Sequence, residues 1–439
     1  MELSKQRRQD IITALRRGTV PRSSLDKFAV GLGRFEEAIE QELSDVKVGR
    51  AVFKAVRGEY GCGKTFFSRW LADKAQRMGF ATSEVQISET ETPLYRLEKV
   101  YRRINERLST VDTPNGALRN IIDSWFFALE QDVLAEGEVD EQDEKLLLEK
   151  TNELLEKRLS ALGDQAQSFS LALRGYRRAQ AANDLATADG IAAWLSGQPN
   201  VAAAAKRYAG IKGEIDHYGA LTSLQGVLAI LKDSGFSGLL IVLDEVETIQ
   251  RMRSDVRQKS LNAMRQLIDE VDAGRFPGLY LLITGTSAFY EGPQGIKRLE
   301  PLAQRLHVDF QTDARFDNPR APQIRLSPFD LDRLCEVGSK IRDIYASHAE
   351  SKERIIELCN DDYVRKLAEA VAGELGGKVG IAPRIFLKKL VSDVLDRVDQ
   401  FDDFNPQEHY SLTIDESELT AVERQASGAT DVDDIEIEL

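Results

Sequence analysis

Apolar positions recur along this chain at two spacings. Unbroken runs at 239–243 and 279–283, and the run Val52, Phe53, Ala55, Val56, leave no polar face, as strands of a parallel sheet covered on both sides do. Residues 81–87 alternate and read as a further strand. Helical spacing fills the intervals, first with Phe35, Ile39 and Leu43, then with Leu94, Leu97, Val100, Tyr101, Ile104 and Leu108 over 93–108. It returns over 254–271, 331–348, 352–358, 361–372 and 383–398. Strands separated by helices predict an α/β fold, a three-layer core around a parallel sheet.

The pattern also divides the chain. Between about 116 and 219, heptad-like stretches such as LLLEKTNELLEKRLSAL predict a large helical insertion with Trp125, Phe126, Phe127 and Trp194 as its core. A proline-rich stretch, 318–330, reads as the boundary between a core of 28–317 and a C-terminal helical lid of 318–400. Ahead of the core lies a basic segment, 1–27, whose Ile11, Ile12 and Leu15 predict a helix ending near Gly18. Behind the lid lies a tail, 401–439, with one short strand at 410–414 and otherwise the composition of disorder.

The first apolar run leads into Gly58-Glu59-Tyr60-Gly61-Cys62-Gly63-Lys64-Thr65, and Phe66 continues into an amphipathic helix. Strand, G-x-x-x-x-G-K-T, helix is the context a phosphate-binding loop requires. Glycines let backbone N–H groups curl around a triphosphate, and the helix turns its positive end to the anion. Lys64 is expected to reach the β- and γ-phosphates and Thr65 to hold Mg²⁺, so the P-loop NTPase fold is expected with ATP and Mg²⁺ as cofactors. The run 239–243 ends in Asp244-Glu245 at the carboxyl edge of its strand, where α/β sheets place ligands. Asp244 is expected in the Mg²⁺ shell and Glu245 as the group that polarises the attacking water.

Further candidates follow from position. Thr284 and Thr286 end the third apolar strand, where either can read the γ-phosphate or ordinary turn chemistry can explain both. Arg305, with Arg298 just before its segment, is a candidate to reach a neighbouring subunit's nucleotide; its plainer reading is a salt-bridged surface residue. Arg384 sits at a helix start, which is unfavourable for the helix dipole unless it is kept for a ligand anion. The turn bearing Gly31 and Gly33, followed by Arg34, is placed to lie against an adenine, although an ordinary turn before a helix explains it as well. On the helix of 93–108, Arg96, Lys99, Arg102 and Arg103 form either a solvated face or a phosphate-contacting face for double-stranded DNA.

Composition narrows the setting. The 439 residues are 42% hydrophobic and 30% charged, and no apolar run reaches the length of a membrane span. The N-terminus lacks the apolar stretch of a signal peptide, and the three cysteines have no metal-ligand spacing. A thiol inside the phosphate loop suits a reducing compartment, so a cytoplasmic protein with no membrane partner is expected. The net charge of −14 is concentrated in the tail, where twelve carboxylates face Arg424 alone and residues 1–400 are left near −3. A local basic face therefore stays open to the body of the chain.

The order of phosphate loop, DE-ended strand, polar-ended strand, arginine and arginine-led helical lid resembles the AAA+ ATPases, and within them the origin-recognition and initiator clade. That resemblance implies adenine contacts at Gly31, Gly33 and Arg34, a lid arginine at Arg384 acting on the nucleotide, and homo-oligomers. The segments ALRRGTVPR, FKAVRGEYGCGKTFFSRWLA, ATSEVQISETETPLYRLEKVYRR, LDEVETIQR, TGTSAFYEG and PLAQRLHVDF are similar to the BrxD-type ATP-binding proteins of bacterial BREX phage-defence systems. This similarity implies an accessory ATPase working with other BREX proteins; the step that it drives does not follow from the motifs.

Overall fold

In the computed structural model, residues 3–137, 139–140, 142–159, 167–374 and 383–419 are described. Five strands, β1 (Val52–Arg57), β2 (Ala81–Gln86), β3 (Leu239–Asp244), β4 (Leu279–Gly285) and β5 (Gln323–Arg325), form one parallel sheet in the order β2-β3-β4-β1-β5. Successive residues of a strand face opposite sides. Thus Leu239, Ile241, Leu243, Leu281 and Ile283 join one apolar core while Leu240, Val242, Tyr280 and Leu282 join the other. Every residue of β3 and β4 is buried, which is why their sequences do not alternate. The first core packs the helices Leu97–Arg107 and Ser254–Asp272 and the helical insertion. The second packs the helices Gly33–Lys47 and Lys64–Arg77 and the lid. Helices thus cover both faces of a parallel sheet, the three-layer α/β core that the sequence pattern predicts.

Four expectations need correction. The stretch read as a boundary contains β5, which pairs with β1 through Ala55–Gln323 and Arg57–Arg325, so the sheet continues past residue 317. Prolines flank this strand without entering it, and composition alone hid it. The helix expected from residue 93 begins at Leu97. Phe127 lies on the solvent side of the helix Leu118–Ala135, while Trp125, Phe126 and Trp194 are buried. Residues 410–414 form no strand; they cross the lid with Tyr410, Leu412 and Ile414 packed against its core, so the described part of the tail, 401–419, is held rather than loose. Residues 420–439 lie outside the described residues.

The basic first segment does not project as an arm. Its helix, Lys5–Arg16, buries Arg8, which donates to the Tyr345 carbonyl at 2.9 Å. Arg16 makes a two-pronged bond to Asp396 at 2.6 and 2.7 Å, and Tyr345 Oη donates to the same carboxylate at 2.8 Å. That carboxylate holds the Arg16 guanidinium above its ordinary pKa. Asp396→Ala leaves the guanidinium without this acceptor and the hydroxyl with Asp399 alone, at 3.3 Å. Because the Arg16 side chain is 37% exposed, the expected loss is a screened value of about 2 kcal/mol. The thermal midpoint checks this, and an unchanged midpoint refutes it.

Candidate nucleotide-binding site

The carboxyl ends of β1 to β4 meet along one sheet edge, and the glycine-rich loop between β1 and the helix Lys64–Arg77 lies there. Gly58 has no room for a side chain: a Cβ there meets Cys62 Sγ at 2.4 Å and the Leu326 carbonyl at 3.1 Å. Gly61 and Gly63 take φ of +79° and +94°, which side-chain-bearing residues rarely adopt. The helix Lys64–Arg77 opens at the loop with no acid in its own first turn. Lys64 Nζ donates to the Gly58 and Glu59 carbonyls at 2.8 and 3.3 Å and lies 5.0 Å over the Tyr60 ring. Burial pushes the Cys62 thiol up to about 11, which keeps it protonated and unreactive at neutral pH.

Opposite the loop, Asp244 is 5% exposed. Thr65 Oγ1 donates to its Oδ2 at 3.3 Å, and Thr284 Oγ1 donates to its Oδ1. Of the two threonines at the end of β4, Thr284 therefore touches the acidic cluster; Thr286 is buried at the start of the helix Ser287–Glu291 and makes no side-chain cap bond. Glu245 takes a left-handed conformation, φ +58°, uncommon for a residue with a side chain. Its carboxylate accepts from Gln86 Nε2 at 2.7 Å, because β2 pairs with β3 in a register that puts Gln86 beside Asp244.

A cavity of about 300 Å³ runs from these groups toward the lid. It is lined by Gly31, Arg34, Tyr60 to Phe66, Asp244, Glu245 and Arg384, which the tertiary structure thus brings together. Apolar side chains reach it from three distant stretches, among them Val20, Pro21 and Phe28 near the N-terminus, Phe329, and Leu387. Arg34 donates to the Ala314 and Arg325 carbonyls at 2.8 and 2.7 Å. Arg384 donates to the Glu418 carbonyl at 2.7 Å. The Glu418 carboxylate bonds Lys388 and Lys389, whose positive charges outweigh its burial and hold it at about 2. Gly380, Ile381 and Ala382, just before the Arg384 helix, lie outside the described residues.

Other candidates lie apart. Arg305 pairs with Asp269 and Asp272 on the helix Ser254–Asp272 and is exposed, and Arg298 donates to the Pro293 carbonyl. On the helix Leu97–Arg107 and its approach, Arg96 pairs with Glu98, Arg102 with Glu106, and Arg103 with both Glu91 and Glu106. Lys99 donates to the Thr90 carbonyl at 2.9 Å.

Sequence reasoning missed Gln86, the N-terminal apolar lining, Arg333 in the cavity wall, and Glu247, which is 6% exposed and lines the same cavity. Only Glu247 carried a signal, as a second acid two residues beyond Glu245 at a strand end.

Residues 3–414 match the family described as BREX system ATP-binding protein BrxC/D. No curated protein matches the chain. Among solved structures, the one titled "Structure of Drosophila ORC bound to DNA" aligns over 90% of this chain and 68% of that one, at 12% identity and a TM-score of 0.31.

Proposed function

Because the chain belongs to the family of BREX system ATP-binding proteins BrxC/D, we propose that it is a slow Mg²⁺-dependent ATPase acting as an oligomerising, DNA-associated switch among other BREX proteins. The observation that carries this reading is the convergence of Lys64, the Thr65–Asp244 pair and Glu245 at one sheet edge. Hard oxygen donors from Thr65 and Asp244, 3.3 Å apart, suit a Mg²⁺ ion that arrives with phosphates. When bound, that ion neutralises charge on the β- and γ-phosphate oxygens.

Lys64 exchanges its own loop carbonyls for phosphate oxygens, and the loop amides and helix end take the remaining charge. Glu245 accepts from the water that attacks the γ-phosphate, Thr284 orients the acidic cluster, and Arg384 acts on the phosphates from the lid. The apolar lining around Phe28, with Gly31 and Arg34, takes the adenine. Arg305 reaches a second copy's nucleotide, and Arg96, Lys99, Arg102 and Arg103 meet duplex DNA. If glutamates replacing Arg96, Lys99 and Arg103 leave duplex affinity and its salt dependence unchanged, the DNA role falls.

Slow turnover is favoured by the Gln86–Glu245 bond, which ties up the carboxylate that must face water. Gln86→Ala removes one hydrogen bond of about 1 kcal/mol. Basal turnover is therefore expected to rise roughly fivefold; a fall instead makes Gln86 an aid to catalysis. The direct test of the whole reading follows ATP turnover and particle mass together, with and without duplex DNA. DNA-stimulated hydrolysis with ATP-dependent assembly supports it. Tight ATP binding without turnover or assembly replaces it with a nucleotide sensor.

A further inference from the structure

Glu247 lines the cavity at 6% exposure, and neither of its carboxylate oxygens finds a partner in another of the described residues. A buried carboxylate in this state needs donors. The nearby ones are committed elsewhere: Lys64 to the Gly58 and Glu59 carbonyls, Thr65 and Thr284 to Asp244, Gln86 to Glu245, and Arg251 to Tyr60. Tyr290, whose hydroxyl is equally buried and unpartnered, feels the charge of Glu247 without bonding to it. A ligand that fits must bring positive charge and several donors at once, next to the Thr65–Asp244 pair.

We infer that Glu247 is a positioning residue of the nucleotide site, its two oxygens accepting hydrogen bonds from the water shell of the divalent cation that enters with the triphosphate. The inference rests on the reading of the cavity as a Mg²⁺–ATP site. A hydrated Mg²⁺ keeps several of its waters when it binds phosphates, and each presents two donors. Outer partners of this kind fix the shell and are selected almost as strongly as the direct ligands.

A buried acid without a partner departs from the local rules of folding, and such departures are expected at functional sites. Burial, only partly offset by Lys64, pushes the Glu247 carboxyl up to about 7. A raised folded-state value contributes stability that is full below the ordinary carboxylate range and is lost as pH rises through about 7. Nucleotide-free Glu247→Gln protein is therefore expected to melt a few kelvin higher than wild type in mildly alkaline buffer, with the gap closing in acid. That rise also shows that the variant folds.

The deciding experiment titrates a fluorescent ATP analogue into the full chain, wild type and Glu247→Gln, in Mg²⁺ and in EDTA. The affinity that Mg²⁺ adds is expected to shrink roughly tenfold in the variant, while affinity in EDTA is retained. An equal Mg²⁺ gain in both proteins overturns the inference. So does a loss of the same size in Mg²⁺ and in EDTA, which makes Glu247 a support for Lys64. If wild type binds the analogue in neither buffer, the nucleotide reading itself falls, and that result is distinct from the other two.

Discussion

Glu245→Gln is expected to keep ATP affinity near the wild-type value while turnover falls by roughly 10²–10⁴-fold, the usual contribution of a positioned general base. The amide is isosteric, so the left-handed backbone at φ +58° and the contact to Gln86 are retained in outline. What disappears is the negative charge that draws a proton from water. Asp244, Thr65 and Lys64 are untouched, so the phosphates and their cation keep their partners. Single-turnover hydrolysis measured beside equilibrium binding separates the two quantities. Turnover within a few fold of wild type removes Glu245 from the chemistry; a parallel loss of binding makes it a structural residue.

Lys64→Ala is expected to weaken ATP binding by roughly 10²–10⁴-fold, since two charge-assisted bonds of about 1.5–3 kcal/mol each are removed. The ammonium is 8% exposed and held over Tyr60, so little of its strength is lost to solvent. The same nitrogen satisfies the Gly58 and Glu59 carbonyls of the loop, and the variant is expected to melt slightly lower as well. Isothermal titration with ATP, read beside the thermal midpoint, gives both effects. Affinity unchanged in a folded variant excludes the loop as the phosphate site.

The glycine-rich loop of 58–65 was legible because it is contiguous. Glycines at 58, 61 and 63 and the Lys64-Thr65 pair dictate a turn, a helix start and a cation within eight residues, with no help from distant chain. The apolar runs that became β1, β3 and β4 were legible for a related reason, since burial on both faces leaves an unbroken signature. Short β5 left none, because three residues between proline-rich turns show no period. Phe127 was misassigned because three adjacent aromatic residues cannot all face one side of a helix.

Pairings across long separations were out of reach of the sequence. Gln86 meets Glu245 only because the sheet order puts β2 beside β3, and a period-two pattern does not encode strand neighbours. Arg8 and Arg16 belong to a segment legible only as basic, yet each finds its acceptor more than 300 residues away in the lid. The amino-acid sequence by itself thus determined the α/β core, the glycine-rich strand-to-helix loop and the Asp244-Glu245 strand end, since dihedral preference and burial act over neighbouring residues. The tertiary structure alone decided which groups hold Glu245 and Arg384, that the N-terminal helix helps wall the cavity, and that Glu247 stands buried there with no partner among the other described residues. Those outcomes depend on strand order, register and the docking of the lid, which arise only when distant surfaces pack.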